Sequence, residues 1–276
     1  MEPIRVQSFD EPGVEVYRNI RDADLVGRRG VFIAEGELVV RTLLDRHRES
    51  GRFRVESVLL NQTRLGAMDD ALVGLGADCP VYVAEQSVMD EIVGFHIHRG
   101  VLACGTLHEP MTMPGLIEQA GAAGGPIVVL EDLANHDNIG GVFRNSAAFG
   151  ASGVLLTKRC CAPLYRKALR VSMGHVLSVP YATIGSVEEA CAALRSGGWT
   201  TLALTPDDRA PLLNELVGSG ELGDRVAILL GAEGPGLTET AMNAADHRAR
   251  IPIAAGVDSL NVVVAGAIAL SALSRP

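Results

Sequence analysis

The sequence predicts an α/β protein in two parts: a small α/β domain over 1–107 and a larger domain over 125–276 built on a mostly parallel sheet. Three observations carry this. Short apolar runs alternate with segments of helical spacing through the second half, the order that builds parallel sheets covered on both faces. Breakers cluster in His108-Glu-Pro-Met-Thr-Met-Pro114 and Gly121-Ala-Ala-Gly-Gly-Pro126, so 108–124 reads as a linker. With 276 residues, 47% hydrophobic and 21% charged, the chain is long enough for two cores.

In the first part, strands are expected at 31–34, 55–60, 81–83 and 101–104. A helix is expected at 37–48, with Leu38, Val39, Thr42 and Leu43 on one face. Arginines at 18, 21, 28, 29, 41, 46, 48, 52 and 54 sit among a similar number of acids. In the second part, strands are expected at 127–130, 153–156, 178–182, 200–204, 226–230 and 250–253. Helices are expected at 139–149, 165–173, 187–195, 239–245 and 260–273. Ligands on such sheets lie beyond the carboxyl ends of the strands. The last helix carries no charge from Val262 to Leu270. A helix apolar on every side is buried all round, and this one is short of the roughly 20 residues that span a bilayer. Burial inside the monomer and burial against a second subunit both fit it.

Composition narrows the function classes. The five cysteines, Cys79, Cys104, Cys160, Cys161 and Cys191, include no C-x-x-C pair. A disulfide framework and a zinc site are therefore not expected, and a reducing cytoplasm is. His96 and His98 lack an evident third ligand, so no metal is expected. The first residues lack the basic and apolar regions of a signal peptide. The net charge of −9 argues against a generic polyanion binder. Its distribution is uneven: Asn138 to Val187 contains no Asp or Glu, where 33 acids in 276 residues would place about 6. That window holds Arg144, Lys158, Arg159, Arg166, Lys167 and Arg170. A local basic patch on an acidic protein suits a specific RNA site; a solvated helix face is the plainer reading.

Three segments could carry chemistry. In Asn138-Ile-Gly-Gly-Val-Phe-Arg144, Asn138 can cap a helix, and Gly140 and Gly141 permit close approach. In Leu230-Gly-Ala-Glu-Gly-Pro-Gly-Leu237, three glycines follow a strand, but neither G-x-G-x-x-G nor a Walker lysine is present. The third runs from Ile251-Pro-Ile253 to Ser259-Leu-Asn261, where Ser259 can cap the last helix and Ile251 and Leu260 can form apolar walls. Each alone also reads as an ordinary capped helix or turn.

Together and in this order, the three segments resemble the signature of the SpoU (TrmH-like) RNA ribose 2′-O-methyltransferases of the SPOUT superfamily. The resemblance implies S-adenosylmethionine as methyl donor and a ribose 2′-hydroxyl of structured RNA as acceptor, ribosomal RNA favoured over transfer RNA. It implies catalytic roles for Asn138, Arg144, Glu233, Ser259 and Asn261. It places Thr205, Leu230, Gly231, Ile251, Pro252, Ile253 and Leu260 at the donor. Lys158, Arg159, Arg166, Lys167 and Arg170 become candidate RNA contacts. It also implies a deep trefoil knot formed from about residue 226 onward, and a homodimer with the donor site near its interface. Phe32-Ile-Ala-Glu-Gly36 and Arg99-Gly-Val-Leu-Ala103 are similar to the family's N-terminal substrate-binding domain. Two residues depart from the pattern: Asn145 stands where threonine is more usual, and Val263 where serine is frequent.

An arginine stays protonated at neutral pH, so Arg144 is expected to orient a substrate phosphate and stabilise the developing alkoxide rather than act as base. Two other classes compete with this reading. A Rossmann oxidoreductase needs a glycine fingerprint and a later acid that are missing. A catalytically silent RNA-binding protein of the same fold would have no need of Asn138, Arg144, Ser259 and Asn261.

Overall fold

The structure, a computed structural model, describes residues 2–18, 20, 30–76, 78–254 and 256–274. Arg21, Arg28 and Arg29 of the arginine series lie outside the described residues. The chain divides into two units, Met1–Pro110 with Ala162–Ser178, and Met111–Cys161 with Val179–Pro276.

The first unit holds β1 (Ile4–Val6), β2 (Val31–Glu35), β3 (Phe53–Asn61), β4 (Val81–Ala84) and β5 (Val101–Leu107), in the order β1-β4-β3-β5-β2. The β1–β4 and β4–β3 pairs are parallel, and β5 is antiparallel to both β3 and β2. Helices α1 (Glu37–Glu49), α2 (Leu65–Leu72) and α3 (Gln86–Val93) accompany them. On α1 the buried face is Val39, Val40, Leu43 and Leu44, rotated from the expected one. Leu38 is 52% exposed, and the Thr42 hydroxyl donates back to the Leu38 carbonyl. The polar member turns outward and takes its neighbour with it.

The second unit is a six-stranded, all-parallel sheet in the order β11-β9-β10-β6-β7-β8. Its strands are β6 (Ile127–Leu130), β7 (Gly153–Thr157), β8 (Tyr181–Ile184), β9 (Thr200–Leu204), β10 (Val226–Leu230) and β11 (His247–Ala249). In chain order the helices are α4 (Met113–Ala123), α5 (His136–Ala148), α6 (Arg166–Val171), α7 (Val187–Ser196), α8 (Leu213–Ser219), α9 (Glu239–Ala244) and α10 (Val262–Leu273). Of these, α6 belongs to the first unit. The central strands β6, β7 and β10 are buried throughout, which is why they read as unbroken apolar runs.

Several boundaries differ from expectation. The stretch read as a linker, 108–124, contains α4, capped by Thr112 and burying Leu116, Ile117 and Ala120. Its breakers are the cap and the C-terminal Gly124 of a helix, not a flexible join. Helix α5 starts three residues early, at His136, because Asn135 rather than Asn138 accepts the capping bond from Asp137 N–H. Strand β11 ends at Ala249 instead of running over 250–253, since Pro252 has no N–H to continue a ladder. Asn261, not Ser259, caps α10. That helix buries Val262, Gly266, Ala269 and Leu270, but Val264 and Ile268 stay 47% and 40% exposed, so it is covered on one side only. No described helix is long and apolar enough to cross a membrane.

Residues 162–178 are the least expected feature. They leave the second unit's sequence and pack in the first, burying Leu164, Ala168, Leu169, Val176 and Leu177. Glu35, 5% exposed at the end of β2, receives Arg166, whose guanidinium also lies 5.2 Å from the Phe95 ring centroid.

Candidate active site

In the second unit, the chain leaving β9, β10 and β11 surrounds a cavity of about 480 Å³. Thr205, Leu230, Gly231, Ile251, Ile253 and Leu260 all line it, as expected. Pro252 does not and is exposed. Side chains alternate along an extended stretch, so 251 and 253 turn in and 252 turns out. Ala265 of α10 and Met242 of α9 also line the cavity. The sequence reading missed both, since neither carries a functional group that would single it out.

The wall after β10 is a tight loop. Gly236 N–H donates to the Ala232 carbonyl at 3.0 Å, and Gly234 and Gly236 have φ of 84° and 72°. A Cβ on Gly231 would stand 2.1 Å from the Gly236 carbonyl carbon and the Leu237 nitrogen. Both ends of the loop meet Glu131, which directly follows β6. Its N–H donates to the Leu230 carbonyl at 2.9 Å. Its carboxylate accepts from Thr238 N–H at 2.8 Å and from the Thr238 hydroxyl at 2.9 Å. Sequence reasoning passed over Glu131; a glutamate closing an apolar strand run was the available signal.

Three of the proposed catalytic side chains form one network. Asn261 Nδ2 donates to Asn138 Oδ1 at 3.3 Å and to Glu233 Oε1 at 3.1 Å. Its Oδ1 accepts the capping bond from Val263 N–H at 2.8 Å. Asn138 is 4% exposed inside the first turn of α5. Ser259 and Asn261 both line the cavity.

Arg144 is not part of this network. It is exposed, does not line the cavity, and makes no hydrogen bond or ion pair among the described residues. Six residues on from Asn138, it lies about 9 Å further along the helix and on a different face. The two departures from the family pattern touch instead: Asn145 Nδ2 donates to the Val263 carbonyl at 2.8 Å. Between them, a Cβ on Gly141 would stand 2.7 Å from the Val263 methyls, so the glycine sets how closely α5 and α10 approach.

The basic residues do not form one patch within either unit. Lys158 and Arg159 are exposed past β7, Arg159 reaching Asp132 at 3.2 Å. Lys167 and Arg170 are exposed on α6, Arg170 at 3.8 Å from Glu35. Arg166 is committed to Glu35, its side chain only 15% exposed, which removes it from the surface candidates. Nearby, burial pushes the Cys160 thiol up and the Cys161 thiol to about 11, so neither is an activated nucleophile. No metal-binding group of His, Cys, Asp or Glu occurs among the described residues.

Comparison with known proteins gives a consistent result. Residues 125–271 match the model of the SpoU rRNA methylase family. An uncharacterized tRNA/rRNA methyltransferase of Mycobacterium tuberculosis, Rv0881, is 39% identical over 271 residues, spanning 96% of this chain and 90% of the relative. The 23S rRNA (guanosine-2′-O-)-methyltransferase RlmB of a Burkholderia species is 31% identical over 199 residues, 70% of this chain and 76% of that protein. Among solved structures, the AdoMet-bound rRNA methyltransferase of Sinorhizobium meliloti superposes with a TM-score of 0.80 at 23% identity, covering 98% of this chain and 96% of that one. The SpoU methyltransferase AviRb of Streptomyces viridochromogenes gives 0.76 at 18% identity, covering 95% of this chain and 96% of that one. At these identities the likeness is one of fold.

Proposed function

Because the chain belongs to the SpoU rRNA methylase family, we propose that it transfers a methyl group from S-adenosylmethionine to a ribose 2′-hydroxyl of structured RNA, ribosomal RNA in preference to transfer RNA. The observation that carries this is the cavity itself. Six residues expected at the donor converge on it, beside the Asn138–Asn261–Glu233 network. Its 480 Å³ lies within the roughly 300–1,000 Å³ of small-molecule sites. The ribose target named for the Burkholderia relative supports the 2′-oxygen.

The lining residues fit this donor. Leu230, Ile251 and Leu260 give apolar walls for the adenine, while the Thr205 hydroxyl and the backbone of 231–237 supply polar groups. When bound, S-adenosylmethionine supplies an electrophilic methyl on a sulfonium, open to in-line displacement by the ribose oxygen. The Asn261 amide, held by Asn138 and Glu233, keeps the end of α10 fixed against the cavity. Arg144 stays protonated and so cannot accept the hydroxyl proton. Exposed and unpaired among the described residues, it is available to a substrate phosphate and to the charge developing on the 2′-oxygen.

Residues 125–276 would then be the methyltransferase domain and 1–107 the RNA-recognition domain, in a cytoplasmic enzyme. Lys158, Arg159, Lys167 and Arg170 remain candidates for RNA phosphates. The family's trefoil knot would lie from about residue 226 onward. The tight return of the 231–237 loop, bonded through Glu233 to Asn261 at the start of α10, supports it. A homodimer is supported by α10, where Val264 and Ile268 leave an apolar stripe on the helix whose Val262 and Ala265 line the cavity.

Calorimetric titration with S-adenosylmethionine, followed by mapping of 2′-O-methyl marks on ribosomal RNA treated with the protein, tests the reading. Donor binding and a new mark support it. Binding without a mark on any RNA favours a silent RNA-binding protein, and no donor binding even with ribosomal RNA present refutes the proposal.

A further inference from the structure

We propose that Glu131 is a positioning residue that sets the donor-binding loop by holding both of its ends; this rests on the donor site described above. All seven residues from Gly231 to Leu237 line the cavity, so the loop's shape is the shape of that wall. The loop begins after Leu230 and ends before Thr238, and both of these residues bond to Glu131. Leu230 accepts from its N–H at 2.9 Å, and Thr238 gives both its N–H and its hydroxyl to the carboxylate. Glu131 is 7% exposed and makes no ion pair among the described residues. A buried carboxylate without a cation is costly unless its oxygens are hydrogen-bonded. Here one threonine supplies both bonds, which fixes the separation of the loop's ends.

The bonds extend beyond the loop in two directions. The Thr238 oxygen also accepts from Ala241 N–H at 3.2 Å, capping α9, whose Met242 lines the cavity. The loop carries Glu233, which must meet Asn261 at 3.1 Å. Glu131 itself directly follows β6, and the chain beyond it leads to Asn138. One side chain thus ties the donor wall to the strand that delivers the acceptor-side helix.

The geometry separates bonding from charge. In Glu131→Gln the amide oxygen can still accept from Thr238 N–H. Its NH2 can donate to the Thr238 oxygen, whose own proton can turn to the Thr240 hydroxyl at 3.0 Å. Glu131→Ala loses both bonds. Thr238→Val keeps the N–H bond to the carboxylate but loses the hydroxyl's bonds to Glu131, Thr240 and the Ala241 N–H that caps α9.

The test is calorimetric titration of the full chain with S-adenosylmethionine and S-adenosylhomocysteine, with KM measured separately for donor and RNA. Glu131→Ala is expected to weaken donor binding about tenfold or more and leave the RNA KM unchanged. Glu131→Gln should stay within about threefold of wild type. Thr238→Val should fall between, and should cost less in the Glu131→Ala background than in wild type, since only its α9 cap is then left to lose. Wild-type donor affinity in Glu131→Ala, equal damage by Gln and Ala, or a matching rise in RNA KM would each overturn the proposal. Should Glu131→Ala fail to fold, Thr238→Val decides: wild-type affinity sinks the idea. Hydrogen exchange of 231–237 without ligand separates this inference from the functional reading. Faster exchange in the variants, with no donor binding by wild type, removes the function and keeps the clamp; unchanged exchange removes the clamp.

Discussion

On the cavity side of α5, Asn138 is buried and bonded to Asn261, which is bonded in turn to Glu233. About 9 Å along the same helix, Arg144 extends from an exposed position with no bond among the described residues. On the proposed donor side each polar end of the Asn261 amide is already used. The proposed acceptor side offers a guanidinium that nothing among the described residues holds. The contrast teaches that preorganisation here is spent on the small ligand, while the large one must supply its own contacts. It fits a reaction whose donor is the same in every turnover and whose acceptor is a whole RNA.

The contrast can be broken at several points. Arg144→Ala should lower kcat by about 10²–10³, the usual cost of removing a group that stabilises developing charge, while donor affinity by calorimetry stays unchanged. A parallel loss of donor affinity would mean the two sides are not separate. Gly231→Ala should do the reverse. Its methyl would meet backbone 2.1 Å away, and overpacking of about 1–3 kcal/mol predicts a fall in donor affinity of roughly ten- to hundredfold with RNA binding retained. Asn261→Ala removes a helix cap worth about 0.5–2 kcal/mol together with the bridge to Asn138 and Glu233. Donor affinity and thermal stability should fall together. Asn145→Ala breaks only the bond to the Val263 carbonyl. A net loss of about 0.5–1.5 kcal/mol should lower the melting temperature by a few degrees without changing donor affinity.

The smallest effect concerns pH. Burial raises the Asp246 carboxyl, but bonds from the Thr201 N–H and hydroxyl and from Arg195 outweigh it and leave the group below its ordinary value. A carboxyl depressed in the folded state stabilises fully above its unfolded value, near about 3.9, and loses that contribution as pH falls through the folded one. Melting temperature should therefore hold down to about pH 4 and drop below it, and Asp246→Asn should flatten part of that drop.

Strands β6, β7, β9 and β10 were the most legible part of the chain, because strands buried on both faces read as short unbroken apolar runs, whereas β8 lies at Tyr181–Ile184 rather than over 178–182. Boundaries were less legible where two capping residues compete. Asn135 and Asn138 are equally able caps, as are Ser259 and Asn261, and only the local backbone chooses. Six of the cavity residues were legible through the family resemblance, but Pro252, which it placed at the donor, is turned outward by the alternation of the extended chain. Glu131 was not, because its role depends on Thr238, 107 residues away. Arg166 was misread for the same reason: its partner Glu35 lies 131 residues earlier, and a surface arginine and a buried one look alike until that partner is known.

That last separation bears on synthesis. The first unit lacks its final piece until residue 178 has left the ribosome. At roughly 5–20 residues per second, the Glu35 carboxylate waits on the order of ten seconds for the arginine that neutralises it. Throughout that interval the surface destined to cover Leu164, Leu169 and Leu177 stays open. Translation of this chain therefore cannot deliver a finished first unit before the second is well under way. A fragment ending near residue 110 should meet chaperones more often than its size suggests.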